Sequence, residues 1–201
     1  GMHAYGGKVE EAVAGHSTAL SVPDAKEAGV HRGMVVAEPG MFASGDAVDV
    51  ELALTPRSPR LEHRAPIRFH TGTVEVLGQL LLLDRDDANS DDEFVARLEL
   101  DEPVACHPGD RFLLRLQNPV VTVGGGRILR LEVSGRYRRK DLGSELQGIV
   151  DAGDQPDARL LHELEQAGPV GCPVDDLARA LGVEEGRVVE LVKGEIGRAH
   201  V

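Results

Sequence analysis

From Asp46 to Leu54 the chain alternates: Val48, Val50, Leu52 and Leu54 share one face of an extended backbone, and Asp49 and Glu51, joined by small Ala53, share the other. Strict period two is the mark of a half-buried β-strand, and it recurs. Residues 66–71 set Ile67 and Phe69 against Arg68 and His70. Residues 73–83 read as a longer strand with a kink expected at Gly78, where a missing side chain weakens a strand. Residues 94–100 set Phe94, Ala96, Leu98 and Leu100 against Val95, Arg97 and Glu99. Residues 111–116 and 120–123 are apolar, and Gly124-Gly125-Gly126 leads into a last strand over 127–133. Between them lie an acidic stretch, Asp84 to Glu93, expected to be a solvated hairpin loop, and a turn at His107-Pro108-Gly109-Asp110. Short strands at this spacing, with no helical period among them, predict an antiparallel barrel or sandwich. A closed barrel is the economical choice because it leaves no edge to aggregate.

The flanks read differently. Residues 9–22 hold two short candidate strands around Gly15, and residues 30–37 are a turn into an apolar strand. Pro39-Gly40-Met41 is a break that suits a domain boundary. After Ser134 comes a basic linker, Arg136-Tyr137-Arg138-Arg139-Lys140, then a weak helix over 141–150. Residues 157–167 place Leu160, Leu161 and Leu164 on one helical stripe, with Asp157 at the start and Gly168-Pro169 as the stop. Segments 174–181 and 184–193 flank Gly182-Val183, a helix-turn-helix pattern. A winged helix needs a β-hairpin after the second helix, and the sequence reaches Val201 without one. That ending, and a Gly1-Met2 start that reads as a scar of tag removal, lead us to expect a piece of a longer chain. The expected fold class is mainly β with a small α-helical C-terminal module. Its expected segments are 1–40, a β-barrel half, 41–134, a complete barrel, and 135–201, linker and partial winged helix.

Composition limits what such a fold can do. The formal net charge is −12, which repels phosphate, so any nucleic acid must be held by local basic patches. Cys106 and Cys172 lie far apart and form no CxxC, as in a reduced cytoplasmic protein. There is no apolar run of membrane-spanning length and no signal peptide. No H-x-x-x-H pair and no Cys–His zinc spacing is present, so no metal is expected. Nothing matches the phosphate-loop pattern G-x-x-x-x-G-K-[ST]; the triple glycine lacks the lysine and precedes a strand. No spacing supports a Ser-His-Asp grouping, and no catalytic residue is assigned.

Two basic clusters remain. Arg57, Arg60, His63, Arg64, Arg68 and His70, with Thr71 and Thr73, offer guanidinium, imidazole and hydroxyl groups suited to phosphates and 2′-hydroxyls. A solvated loop is the alternative. Arg127, Arg130, Arg136, Arg138, Arg139 and Lys140 form a second stripe, either an RNA contact or a linker held by ion pairs. Gln117 and Asn118 suit an RNA backbone, and equally a hairpin turn.

Several phrases resemble translational GTPases. Val9-Glu10-Glu11-Ala12, through Gly15 to Ala19-Leu20 and on to His31-Arg32-Gly33-Met34-Val35, looks like the closing half of their second domain. His70-Thr71-Gly72-Thr73-Val74-Glu75-Val76 resembles a central strand of the third domain. Gly109-Asp110-Arg111-Phe112-Leu113-Leu114-Arg115 and Thr122-Val123-Gly124-Gly125-Gly126-Arg127-Ile128-Leu129 resemble its last two strands. Elongation factor Tu stops after this barrel, whereas continuation into a helix-turn-helix is similar to selenocysteine-specific elongation factors. The resemblance implies a non-catalytic, tRNA-binding portion of such a factor, with GTP and Mg on a domain not present here. It implies selenocysteyl-tRNA and the ribosome as partners, and an mRNA hairpin bound through more C-terminal winged helices. It puts the first basic cluster beside the tRNA acceptor arm and Arg32 near the aminoacyl pocket. There a cation would favour an ionised selenol over a serine hydroxyl; a plain turn arginine is the other reading. A different class of function, a transcriptional regulator with a β-barrel sensor and a DNA-reading winged helix, is opposed by the acidic helix-turn-helix.

Overall fold

A computed structural model describes residues 1–37, 42, 44–132, 135–153 and 155–199. The expected boundary at Pro39-Gly40-Met41 lies outside the described residues, as does Ser134. The chain forms two compact units, Gly1–Met34 and Val35–Val201. The first is a small antiparallel sheet of β1 (Met2–Ala4), β2 (Gly7–Val9) and β3 (Thr18–Leu20), with β1 in the middle. Within 9–22 only Thr18–Leu20 and the end of β2 are extended, and the strand expected at the end of 30–37 is absent. Val35 and Val36 are exposed, so nothing is gained by pairing them.

In the second unit a closed six-stranded antiparallel barrel runs in the order β10-β11-β4-β9-β7-β6. Its strands are β4 (Ser44–Leu54), β6 (Ala65–Thr71), β7 (Val74–Leu82), β9 (Glu93–Ala105), β10 (Arg111–Leu116) and β11 (Thr122–Glu132). Alternation decides which side chains enter: Val48, Val50, Leu52, Ile67, Phe69, Leu80, Leu98, Leu114 and Ile128 fill the interior. The acidic hairpin is more ordered than a solvated loop. It carries β8 (Asp87–Ala88), paired with β5 (Leu61–Glu62), and Ala88 is fully buried.

Two glycine readings change. Gly78 pairs in regular register with Ile67 and Leu100, without a kink; a Cβ there would meet the carbonyl oxygen of Glu99. Gly124-Gly125-Gly126 is not a lead-in but lies inside β11, which runs unbroken from residue 122. Cβ atoms on Gly124 and Gly126 would run into the carbonyls of Ala53 and Glu51, and one on Gly125 would sit 2.6 Å from that of Phe112. The triplet is what lets β10 and β4 close on either side of β11.

The outer wall is solvated only in part. Leu83, Val95 and Leu129 point outward and pack under Leu142, Leu146 and Ile149 of α1 (Arg139–Ala152). These three recur every third or fourth residue, so one helical stripe faces the barrel, and burial rather than propensity makes this segment a firm helix. Asp49, assigned to the solvated face of β4, is fully buried beneath this layer. Its carboxylate accepts from Arg97 Nε at 2.6 Å and Nη2 at 2.8 Å, and from Arg130 Nε at 3.1 Å. Arg130 also donates to Glu145 of α1 at 2.5 Å, and the ring of Tyr137 covers the Arg97 guanidinium at 4.6 Å. Arg139, part of the expected linker, donates to the carbonyls of Leu82 and Arg85 and pins the helix start to the barrel.

Three more helices follow: α2 (Pro156–Ala167), α3 (Val174–Leu181) and α4 (Glu185–Ala199), with a short 3-10 turn at Gly168–Val170. Leu160, Leu177, Leu181, Val188 and Leu191 form their shared core. Leu161 is not on that stripe and stays exposed. Gly182 ends α3 in the left-handed region at φ 67°, and the ring of His107, from the β9–β10 turn, lies against it where a Cβ would collide. A β-bulge at Leu129 frees its carbonyl from the ladder, and Arg159 of α2 donates to it and to Ala180. Removing the buried carboxylate leaves Arg97 unpaired, so Asp49→Ala is expected to lower stability by about 3–5 kcal/mol, read from the urea midpoint of the full chain.

Candidate nucleic-acid interface

Because Ile67 and Phe69 point inward, Arg68 and His70 of β6 point out. The same alternation on β10 turns Phe112 and Leu114 in and Arg111, Leu113 and Arg115 out. Register then decides the neighbours. Arg115 is the direct cross-strand partner of Arg68, and Leu113 that of His70. On the other side Arg111 is opposite Arg127 and Leu113 opposite Gly125. Two pairs of like charge directly opposite each other are unfavourable on a sheet. Between them Leu113 is 54% exposed beside the bare backbone of Gly125.

This patch also holds buried side-chain nitrogens without a hydrogen-bond partner. The Nε atoms of Arg68 and Arg115 and the Nε2 of His70 are buried and unpaired. Unmet buried polar groups are costly and rare, and three of them lie here on adjacent strands. Two carboxylates approach: Glu75 of β7 accepts from Arg68 Nη1 at 2.6 Å, and Glu51 is paired with Arg127. The Arg68 hydrogen bond is the main cause that holds the Glu75 carboxyl below the usual range, with smaller help from His70 and Arg115.

The structure divides the first sequence cluster. Arg57 is exposed in the loop before β5. Arg60 pairs with Asp87 at 2.5 Å; Arg64, at φ 67°, reaches Gln79 at 3.2 Å and Glu99 at 3.9 Å. His63 turns inward, its Nδ1 accepting from the Leu82 amide at 3.1 Å. Thr71 donates to the Arg111 carbonyl at 3.0 Å, and Thr73 sits in the exposed β6–β7 turn. Gln117 is spent on the barrel itself, donating to the Ile67 carbonyl at 3.2 Å, while Asn118 is exposed before a cis Asn118–Pro119 bond. Only Arg68 and His70 join the new patch.

The second cluster divides too. Arg127 lies on the patch, Arg130 and Arg139 clamp α1, and Arg136, Arg138 and Lys140 are exposed around the helix start. Arg32 lies in an exposed turn of the small unit. Arg111 and Arg115 escaped the sequence reading. Their signal was there, as outward positions four apart in R-F-L-L-R, but their proximity to Arg68 depends on pairing across more than forty residues.

Among the described residues no group of His, Cys, Asp and Glu is placed to hold a metal ion, and no helix is long and apolar enough to cross a membrane. Burial pushes the Cys106 thiol up to about 12, so it is no thiolate nucleophile.

Residues 46–134 match the family model of the selenocysteine-specific elongation factor β-barrel domain. The barrel belongs to that family. The chain is 32% identical over 178 residues to the selenocysteine-specific elongation factor of Desulfomicrobium baculatum, covering 88% of this chain and 28% of that protein. It is 26% identical over 143 residues to that of Haemophilus influenzae, covering 70% of this chain and 22% of the relative. It superposes with a TM-score of 0.68 on a crystal structure of a bacterial selenocysteine-specific elongation factor, at 18% identity, over 91% of this chain and 28% of that one. That likeness is one of fold, and it extends beyond the barrel. The chain thus spans under a third of the length of these elongation factors.

The inward His63 gives the elongation-factor barrel a measurable pH response. Burial, then the charges of Arg139 and Arg64, lower its pKa below the ordinary 6.5. The unfolded chain therefore binds the proton first as pH falls, and the stability present above 6.5 is lost toward the folded pKa. Between pH about 7.5 and about 5.5, the wild type is expected to lose more of its urea midpoint than His63→Asn. The asparagine can accept the same amide without titrating.

Proposed function

We propose that this chain is the RNA-holding part of a selenocysteine-specific elongation factor, which delivers selenocysteyl-tRNA to the ribosome under the control of GTP bound, with Mg, elsewhere in the factor. The observation that carries it is the wall of β6, β10 and β11. Paired like charges and unmet buried donors there suit the phosphates of an A-form stem, which proteins grip by backbone and 2′-hydroxyl rather than by base edge. Exposed Leu113 and the bare Gly125 backbone give such a stem a flat place to approach. Arg57 and the exposed linker cations Arg136, Arg138 and Lys140 extend the field, and Arg32 serves the aminoacyl group.

The helical module acts as a rigid spacer toward winged helices that bind the mRNA hairpin. Its own surface is too acidic to read nucleic acid: Arg179 is held by Asp175 and Asp176, and Arg187 by Glu190. Nothing favours the transcription-regulator alternative.

The test is the affinity of the chain for a selenocysteine tRNA transcript, read by fluorescence anisotropy. Arg111→Glu with Arg115→Glu is expected to weaken binding about tenfold or more. Arg60→Glu with Arg64→Glu should weaken it less, because both arginines already have protein partners. If neither pair changes affinity at low salt, the RNA role of the barrel is wrong; if the second pair dominates, the interface is the loop.

A further inference from the structure

Glu75 stands in a singular position on this wall. It is the cross-strand partner of His70, and its side chain is 48% exposed, so it has room to leave. One carboxylate oxygen takes the Arg68 Nη1 hydrogen at 2.6 Å and the other lies 4.0 Å from His70 Nδ1. The unmet Nε atoms of Arg68 and Arg115, and His70 Nε2, are not reached by it. By contrast the Arg127 partner of Glu51 is 14% exposed, a closed pair.

Resting on the RNA reading above, we propose that Glu75 is a built-in counter-anion. In the free protein its carboxylate takes the place of a backbone phosphate among Arg68, His70 and Arg115; it gives way when RNA binds. The physical logic is competition. An arginine already paired must break that pair before it can neutralise a phosphate, so each internal carboxylate subtracts from affinity without removing the contact. The exposed carboxylate can turn out to solvent by rotating its own side chain, leaving the β-ladder intact. Its lowered pKa agrees, since the carboxylate senses Arg68, His70 and Arg115 together. A factor that must release its RNA gains from such a brake, because lower affinity is mostly faster dissociation.

The experiment titrates the full chain against a short labelled A-form RNA duplex over a series of salt concentrations. Glu75→Gln keeps the shape and removes the charge, and is expected to tighten binding by roughly two- to fivefold while steepening the log–log salt slope by about 0.9, one more phosphate neutralised. Glu75→Ala should do the same, and serves if the glutamine variant is poorly folded. Arg115→Glu is measured alongside and should weaken binding. Equal or weaker binding by both Glu75 variants, with Arg115→Glu still weakening it, overturns the counter-anion and leaves the RNA reading standing. No binding by the wild type, or none of the variants differing from it, removes both.

Discussion

The helix-covered side of this barrel is organised by one buried carboxylate. Asp49 sits at zero exposure with two guanidinium groups aimed at it, and one of those, Arg130, reaches on to α1. A buried ion is tolerable only when its lone pairs are met. The chain meets them by bringing β4, β9 and β11 together and then roofing them with Tyr137 and α1. The roof is what makes helices and barrel one compact unit. Arg139 and Arg159 extend the same device, donating to the carbonyls of Leu82, Arg85 and Leu129.

The same residue type does opposite work on two walls. Where a helix covers the sheet, Arg97, Arg130 and Arg139 are held by carboxylates and carbonyls of the barrel and of α1, and act as fasteners. Where β6, β10 and β11 face solvent, arginines face arginines, and the Nε atoms of Arg68 and Arg115 are unmet. In a chain of net charge −12 that contrast matters more than any count of basic residues, because binding depends on local field and geometry. The protein's own acids then set how strongly the wall attracts phosphate.

The readable part of the fold was the part written in short periods. The strand Arg111–Leu116 and the helix Val174–Leu181 stand where alternation and helical spacing put them. The turn at residues 107–110 is closed by Asp110, which accepts the His107 amide at 2.9 Å. What alternation could not say is which outer face is wet. Asp49 and Arg97 look like surface residues in one dimension, and are buried because a helix that follows the last barrel strand lies over them. The triple glycine was misread for a related reason: its purpose is to admit neighbouring backbones, and those belong to distant strands.

For the candidate site the division is sharper. Arg68 and His70 could be marked from their sequence, because apolar Ile67 and Phe69 take the inner face of their strand and put the cations on the outer one. Their companions Arg111 and Arg115 could not be joined to them, since antiparallel register between β6 and β10 is decided by barrel closure. His63 and Gln117 illustrate the converse, plausible RNA ligands whose donors or acceptors are taken up by the barrel's own backbone. The sequence by itself determined most of the barrel strands, the helices and the family resemblance, all carried by local pattern and contiguous phrases. Only the tertiary structure decided which charges are paired, buried or left facing one another, because that depends on contacts between residues far apart in the chain.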